Sequence, residues 1–316
     1  MELYRQLKQF GKVKLNEALA KHTTFRIGGR ANFFVISDSV AKLIDLLKLL
    51  QTEGVNYIVL GGGSNVLVSD DDFEGVVIKI KNQKLEIKDN VIEVEAGAMT
   101  AAIAQEAIKH NLDGFVWGVG VPGSIGGAVR GNAGAMGGEM KDVIEKVLVY
   151  RDGEVVELSA VDCEFGYRDS IFKHNSDLIL KVYLKLEKKN NPELSKKALA
   201  GLTYRSQTQP KEHSSGCIFK NIIMSEHTDS TKLRNFDLPG EFVAKGRIPA
   251  GWLVAAAGMK GEREGFAQVS ETHGNFIVNN GGATAAEVRA LIERVKEKVY
   301  DKFGIELEEE IQLINF

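Results

Sequence analysis

The sequence is short of cysteine, of proline and of any excess charge. Its two cysteines, Cys163 and Cys217, do not make a disulfide framework. Five prolines exclude a collagen-like or low-complexity chain. Forty basic residues against 43 acidic ones leave a net charge of −3, which argues against a nucleic-acid coat. No apolar run approaches the roughly 18 residues of a membrane span; the longest candidate lies around Trp252–Met259. The N-terminal MELYRQLKQFGKVKL has neither the apolar stretch nor the small-residue cleavage site of a secretory signal. The six histidines are scattered without metal-ligand spacing, so no metal is expected. These absences predict a cytoplasmic globular protein with reduced thiols and no membrane or nucleic-acid partner.

What is present is apolar residue and glycine. A hydrophobic fraction of 44% suffices to build cores. At about 150 residues per domain, the 316 residues suggest two domains, or three small ones. The 33 glycines exceed the usual share of about 7%. They must therefore be placed, and their clusters are the main clue.

Residues 1–20 read as a short amphipathic helix, and TTFRIGGRANFFVI as two short strands around Gly28-Gly29. Val40–Gln51 has helical apolar spacing. Val55–Leu60 is an apolar strand stopped by glycines, and residues 66–95 alternate as strands. Thr100–His110 reads as a helix, Val143–Leu158 and Leu178–Leu186 as strands, and Lys188–Lys197 as a polar linker. Ala285–Lys302 is an amphipathic helix, followed by a strand over Ile305–Ile314. Strands joined by short turns with helices between them predict an α+β fold rather than a regular βαβ array.

Gly61-Gly62-Gly63-Ser64-Asn65 follows a strand directly. Such a run exposes backbone N–H groups that hold anions, although a plain tight turn has the same spelling. Gly118–Gly123 spells the dinucleotide fingerprint G-x-G-x-x-G, a weak signal by itself. The glycines that follow, from Gly126 to Gly138, each cost a helix roughly 1 kcal/mol and leave room for a short helical turn only. A full Rossmann helix is therefore excluded, and neither cluster is followed by the Gly-Lys-Ser/Thr of a phosphate-binding loop. Two glycine-lined backbone surfaces together favour a nucleotide-type cofactor.

Eight segments in order extend this reading: HTTFRIGGRANFFV, LGGGSNVLVSD, GVPGSIGGAVRGNAGAMGGE, FGYRDSIFK, SSGCIFKN, AGWLVAAAGMKG, HGNFIVN and GIELEEEIQLI. Together they resemble the UDP-N-acetylenolpyruvoylglucosamine reductase family, flavin enzymes that complete UDP-N-acetylmuramic acid for bacterial peptidoglycan. The resemblance implies an FAD-binding region of the vanillyl-alcohol-oxidase (PCMH) type and a C-terminal α+β substrate domain. It implies boundaries at 1–72 and 73–190 for two FAD-binding subdomains and 198–304 for the substrate domain, with strand 305–316 returning to the first. It also implies non-covalent FAD, NADPH as hydride source and UDP-N-acetylglucosamine enolpyruvate as substrate. With no second nucleotide fold visible, the last two are expected to use one cleft in turn. Protein partners are not specified. By resemblance, Gly61–Asn65 and Gly120, Val121, Pro122, Gly123, Ser124, Gly126 and Gly127 cradle the FAD, and Arg26 and Asn132 border it.

The implied reaction sends a hydride from flavin N5 to the terminal carbon of an enolpyruvyl ether. Negative charge then develops on the adjacent carbon and its carboxylate, which calls for a cation or acid there and a proton donor over the carbon. Arg168, in Tyr167-Arg168-Asp169-Ser170, matches the family's catalytic arginine; a surface arginine paired with Asp169 is the bland alternative. Glu310 matches the family's C-terminal glutamate. The run Glu308-Glu309-Glu310 leaves the register open, with Glu308 the fallback and Glu309 read as a solvated turn. Cys217 stands where the family usually has a serine proton donor. A thiol with pKa of about 8.5 is protonated at neutral pH and is a stronger acid than an alcohol, so it can serve; a small buried cysteine is the alternative. Tyr167, Arg205, Gln209, Lys220 and Asn221 fall in the family's substrate-binding segments, and Arg205 reads equally as a structural ion-pair partner. His273 is expected to be structural. The stretch between Phe219 and Trp252 contains no tyrosine and resembles the family's shorter form. An FAD-dependent sugar or alcohol oxidase on the same cofactor fold is the competing enzyme, and a non-catalytic flavin sensor the competing binder.

Overall fold

The computed structural model describes residues 2–189, 193–226, 236 and 238–316. It divides into two compact units, one of residues 1–17, 31–62 and 73–205, the other of residues 18–30, 63–72 and 206–316.

In the first unit, strands Arg30–Ser37 and Tyr57–Leu60 both run parallel to Phe73–Ile80, with Lys12–Ala18 completing a four-stranded sheet. Helix Val40–Thr52 covers it, placing Leu43, Leu46, Leu47 and Leu50 against Val76 and Ile78, all essentially inaccessible to water. Burying each such side chain contributes about 1.5–3 kcal/mol, so the helical period of these leucines fixes which face packs. A five-stranded antiparallel sheet runs in the order Glu154–Ser159, Ile144–Arg151, Leu178–Lys185, Val91–Glu95, Leu85–Lys88. Its first hairpin turns on Asp152-Gly153, both at positive φ (48° and 92°), the conformation that Asp-Gly turns favour. Helix Thr100–Lys109 and the glycine segment pack on this sheet around Ile103, Phe115, Val147 and Phe172.

In the second unit, helix Ala285–Phe303 buries Val288, Leu291, Ile292, Val295, Val299 and Phe303 against Leu253, Val254, Val269 and Ile277. Its start is doubly capped. Thr284 and Glu287 exchange side-chain-to-backbone bonds of 3.1 and 3.0 Å, and the Asp70 carboxylate accepts from the amides of Ala285 and Ala286 at 2.9 and 3.1 Å. Gly304, at φ 67°, ends it in the left-handed conformation a helix C-terminus favours.

Several expectations are corrected. Residues 1–20 form a helix only over Glu2–Leu7, and Lys12–Ala18 is a strand. Gly11 separates them where a Cβ would lie 2.1 Å from the Ile36 carbonyl oxygen, so the chain there lies flat against a neighbour and cannot continue as a helix. Of the two strands around Gly28-Gly29 only Arg30–Ser37 forms, because Arg26 and Gly28 sit at φ 59° and 139° and break the ladder. The C-terminal strand is confined to Gln312–Ile314, parallel to Val66–Val68. Residues 18–30 and 63–72 belong with the C-terminal residues rather than with 1–72, since Phe25, Ile27 and Leu67 enter the second unit's core. The expected linker gives way to helix Glu193–Thr208, and the unit boundary falls after Arg205; residues 190–192 of that linker lie outside the described residues, as do 227–235 and 237 of the tyrosine-free stretch. No helix among the described residues is long and apolar enough to cross a membrane, and none of their His, Cys, Asp or Glu side chains cluster as a metal site.

Candidate active site

The first unit brings its two glycine clusters together. A Cβ on Gly62 would lie 2.4 Å from Gly123 Cα, and one on Gly61 would lie 2.3 Å from Ser124 Oγ. Only bare Cα atoms allow the two backbones to approach so closely. The Gly118–Gly123 fingerprint leads into a helix of just six residues, Ile125–Arg130, as the glycine density requires. The amides of Ile125 and Gly126 bond the carbonyls of Ala98 (2.8 Å) and Ala96 (3.0 Å), so they seat this helix on its neighbour instead of facing a ligand. Beside the paired loops lies a cavity of about 480 Å³, within the range of cofactor sites. Gly61, Ser124, Gly126 and Gly127 form its glycine-rich wall; Tyr57, Tyr150, Asp177 and Arg130 are among its polar lining. An elongated nucleotide cofactor such as FAD fits this construction: bare backbone for phosphates, aromatic and polar groups for a base and sugar. Among the cradle residues, Gly63 belongs to the second unit, where its φ of 71° and a Cβ position 2.2 Å from the His22 carbonyl both require glycine.

Arg168 sits in a turn, Gly166–Asp169, at φ 55°. A non-glycine residue there is strained, which is common at functional positions. Its Nη2 donates to the Gly134 carbonyl at 3.0 Å, its guanidinium lies 5.8 Å from the Tyr167 ring centre, and Lys173 Nζ donates to its carbonyl at 2.6 Å. The bland pairing with Asp169 is not formed. The Asp169 carboxylate faces His174 Nε2 at 2.9 Å, which contributes to lowering its pKa against the opposing effect of burial. Asn132, also at positive φ (39°), is fully buried. Its Nδ2 donates to Glu139 (2.8 Å) and to the Gly166 carbonyl (2.7 Å), and its Oδ1 accepts from the Lys141 amide (3.0 Å). Both amide protons are thus committed within the protein. Asn132 is a brace between the glycine segment and the Arg168 turn. The Arg205 stem lies over Gly120, with Cδ only 2.7 Å from where a Cβ would stand.

The second unit holds Cys217 and Glu310 on adjoining backbone. Gly216, at φ 84°, turns the chain into an extended segment, Cys217–Lys220. On one side Asn275 clamps it: Ile218 N–H bonds the Asn275 carbonyl (2.8 Å), Phe219 N–H its Oδ1 (2.9 Å), and its Nδ2 the Phe219 carbonyl (2.8 Å). On the other side Glu310 N–H bonds the Ile218 carbonyl at 2.7 Å and Lys220 N–H the Glu308 carbonyl at 2.8 Å. Cys217 is half-buried. The acidic run has three separate fates. Glu308 is exposed and pairs with Lys220. Glu309 is only 15% exposed and pairs with Arg289 and Lys296, which corrects its reading as a solvated turn. Glu310 is the one whose amide is tied beside Cys217. Asn65 Nδ2 donates to the Glu310 carbonyl at 3.0 Å and so helps place it. Asn221 Oδ1 accepts from the Ala250 amide at 3.0 Å at the start of helix Ala250–Ala256. Gln209 is half-buried just beyond helix Glu193–Thr208, and exposed Arg26 reaches back to the Lys21 carbonyl at 3.3 Å. His273 is structural: burial lowers its pKa and its Nδ1 accepts from the Asn275 amide at 3.2 Å.

Three residues escaped the sequence reading. Arg130 lies in GAVRGN and Asn275 in HGNF, family motifs in which residue type alone assigns neither a task. Lys79 had no signal beyond its place in an alternating strand.

Comparison with known proteins agrees with this architecture. A family profile described as FAD binding domain matches residues 31–159, and one described as UDP-N-acetylenolpyruvoylglucosamine reductase, C-terminal domain, matches residues 209–314. The UDP-N-acetylenolpyruvoylglucosamine reductase of Caldanaerobacter subterraneus subsp. tengcongensis is 37% identical over 98% of this chain and 96% of its own. That of Bacillus subtilis is 36% identical over 97% and 95%. The crystal structure of the UDP-N-acetylenolpyruvylglucosamine reductase from Thermus caldophilus superposes with a TM-score of 0.76 at 32% identity, covering 96% of this chain and 98% of that one. The chain belongs to the UDP-N-acetylenolpyruvoylglucosamine reductase family, the FAD-dependent oxidoreductases of peptidoglycan-precursor synthesis.

Proposed function

We propose that this protein reduces UDP-N-acetylglucosamine enolpyruvate to UDP-N-acetylmuramate with electrons from NADPH. Bound FAD supplies the hydride chemistry. The observation that carries the reading is the closure of two separate glycine clusters onto each other beside the cavity, in a chain that also keeps the Arg168, Cys217 and Glu310 motifs. Gly61, Gly62, Gly123, Ser124, Gly126 and Gly127 hold the cofactor in the first unit.

Arg168, Cys217 and Glu310 serve one substrate. The Arg168 guanidinium binds the enolpyruvyl carboxylate and offsets the negative charge that grows there. The Cys217 thiol delivers a proton to the carbon beside that carboxylate. Glu310 stabilises the same charge in its protonated form, donating a hydrogen bond, because an ionised carboxylate there would repel it. Tyr167, Arg205, Gln209 and Lys220 bind the substrate. Two free cysteines suit a reducing compartment such as the cytoplasm.

The test is chemical. The purified protein is precipitated with acid and its supernatant examined for flavin. Full release of FAD is the expected outcome. A colourless protein that takes up no FAD defeats the reading, and flavin retained in the pellet favours a covalent sugar or alcohol oxidase.

A further inference from the structure

Lys79 stands one residue from the end of strand Phe73–Ile80, in register with Ile36 and Leu60 on the flanking strands. Leu60 leads directly into Gly61, and Lys79 Nζ donates to the Gly61 carbonyl oxygen. None of the motifs assigned to cofactor or substrate includes this residue. Its side chain is partly buried, and burial, reinforced by repulsion from Lys81, lowers its pKa to about 8. A partly desolvated ammonium held on a backbone carbonyl, without a carboxylate partner among the described residues, is costly unless something else uses its charge.

The Gly61–Gly62 peptide accepts this ammonium on its carbonyl, and Gly61 lines the cavity. No peptide bond among the described residues is cis. In a trans peptide the carbonyl and the next N–H point in opposite directions. With its carbonyl fixed toward Lys79, the peptide turns the Gly62 N–H away from the strand, and the ammonium polarises that N–H as a donor. Gly61 lines the cavity, and Gly62 touches Gly123 in the facing loop.

We propose that Lys79 is a positioning residue for the FAD diphosphate: it orients and polarises the Gly61–Gly62 peptide, its charge offsets that of the phosphates, and cofactor binding is therefore coupled to protonation of the Lys79 amine. This rests on the FAD reading above. The coupling has a definite sign. Bound phosphate favours the ammonium, so the pKa of Lys79 is higher in the complex than in the free protein. Below about pH 8 the lysine is charged in both and affinity is constant. Above it, binding takes up a proton, and affinity falls by up to about tenfold per pH unit until the raised pKa is passed. Other groups do not imitate this. The flanking strands carry only Tyr57 and Arg30 as titratable residues, three and six places from the level of Lys79; Glu74 lies five places back on its own strand and Lys81 follows it, and Arg130, Tyr150, Asp152 and Asp177 belong to the cavity wall.

The experiment titrates FAD into protein reversibly stripped of flavin, from about pH 6.5 to 9, with calorimetry in two buffers of different ionisation enthalpy to count protons. Wild type should show a dissociation constant that is flat to about pH 8 and then rises, with uptake of most of one proton at about pH 8.5. Lys79→Arg, which stays charged, should bind tightly without the pH break. Lys79→Met should bind about tenfold or more weakly at pH 7, also without it. Wild-type binding that is flat to pH 9 with no proton uptake, or Lys79→Met binding as tightly as wild type, overturns the proposal while leaving FAD as the cofactor. A wild-type protein that takes up no FAD at any pH overturns the FAD reading itself.

Discussion

Asn132 Nδ2 donates to the carbonyl oxygen of Gly166 at 2.7 Å, tying the glycine-rich segment to the turn that presents Arg168. Two motifs that the sequence keeps 34 residues apart are thereby set against each other by one buried amide. The Arg168 side chain completes the connection by reaching Gly134. The glycine-rich segment and the Arg168 turn are thus joined within the first unit.

Replacing Asn132 with alanine removes three hydrogen bonds and leaves a β-carbon residue at φ 39°. At about 1 kcal/mol per bond, with a further ~1 kcal/mol for the left-handed backbone, the loss should be about 2–4 kcal/mol. Denaturant unfolding of the two proteins measures it. A change within about 0.5 kcal/mol, the size of an ordinary surface substitution, would show that the amide is not a brace.

Arg168→Lys keeps the charge and loses the planar fork. Reoxidation of the flavin by the enolpyruvyl substrate should slow on the order of 10²–10³-fold, while reduction by NADPH stays close to wild type. Stopped-flow records of the two half-reactions separate these effects. An unchanged oxidative half-reaction removes Arg168 from the chemistry.

The two cysteines should differ sharply. Cys163 is inaccessible to water, its Sγ lies 3.3 Å from the Ser159 carbonyl oxygen, and burial pushes its pKa up to about 12. Raising the pKa of an acid keeps it neutral until that pH, so Cys163 is essentially all thiol at pH 8 and should resist iodoacetamide. Half-buried Cys217 should be alkylated, with loss of activity and protection by substrate. Cys217→Ser should remain active, and Cys217→Ala should lose about 10²–10⁴-fold in product formation. Peptide mapping identifies the labelled thiol. Full activity in Cys217→Ala would make the thiol a packing residue, with the neighbouring Ser215 as the next candidate.

Glu309 and Glu310 should separate stability from activity. Glu309→Gln breaks ion pairs to Arg289 and Lys296 of the long C-terminal helix and should cost about 1–2 kcal/mol with little change in turnover. Glu310→Ala, which removes the donor, should lose turnover and keep the melting temperature. The reverse pattern would move the catalytic assignment to Glu309.

Much of this was legible in the sequence where a local rule dominates. The leucines of Val40–Thr52 and the apolar stripe of Ala285–Phe303 repeat with the helical period, and the structure buries those faces. Glycine density predicted that the fingerprint opens only a short helix, and it spans Ile125–Arg130. What escaped depends on contacts distant in sequence. Gly11 ends the first helix because of Ile36, and residues 18–30 and 63–72 join the second unit because Phe25, Ile27 and Leu67 find their core there. Glu309 looks like its two neighbours in the sequence, and only Arg289 and Lys296 set it apart. Asn132 carried a family motif, but its partners lie at Glu139, Lys141 and Gly166.

The most direct test of the central claim is an anaerobic two-step experiment on the purified protein. NADPH is added first in stoichiometric amount, and the flavin absorbance is followed until it bleaches. UDP-N-acetylglucosamine enolpyruvate is then added without oxygen. The account predicts that the absorbance returns in full and that one equivalent of UDP-N-acetylmuramate appears. A flavin that stays bleached until oxygen is admitted would contradict it and would point to an oxidase.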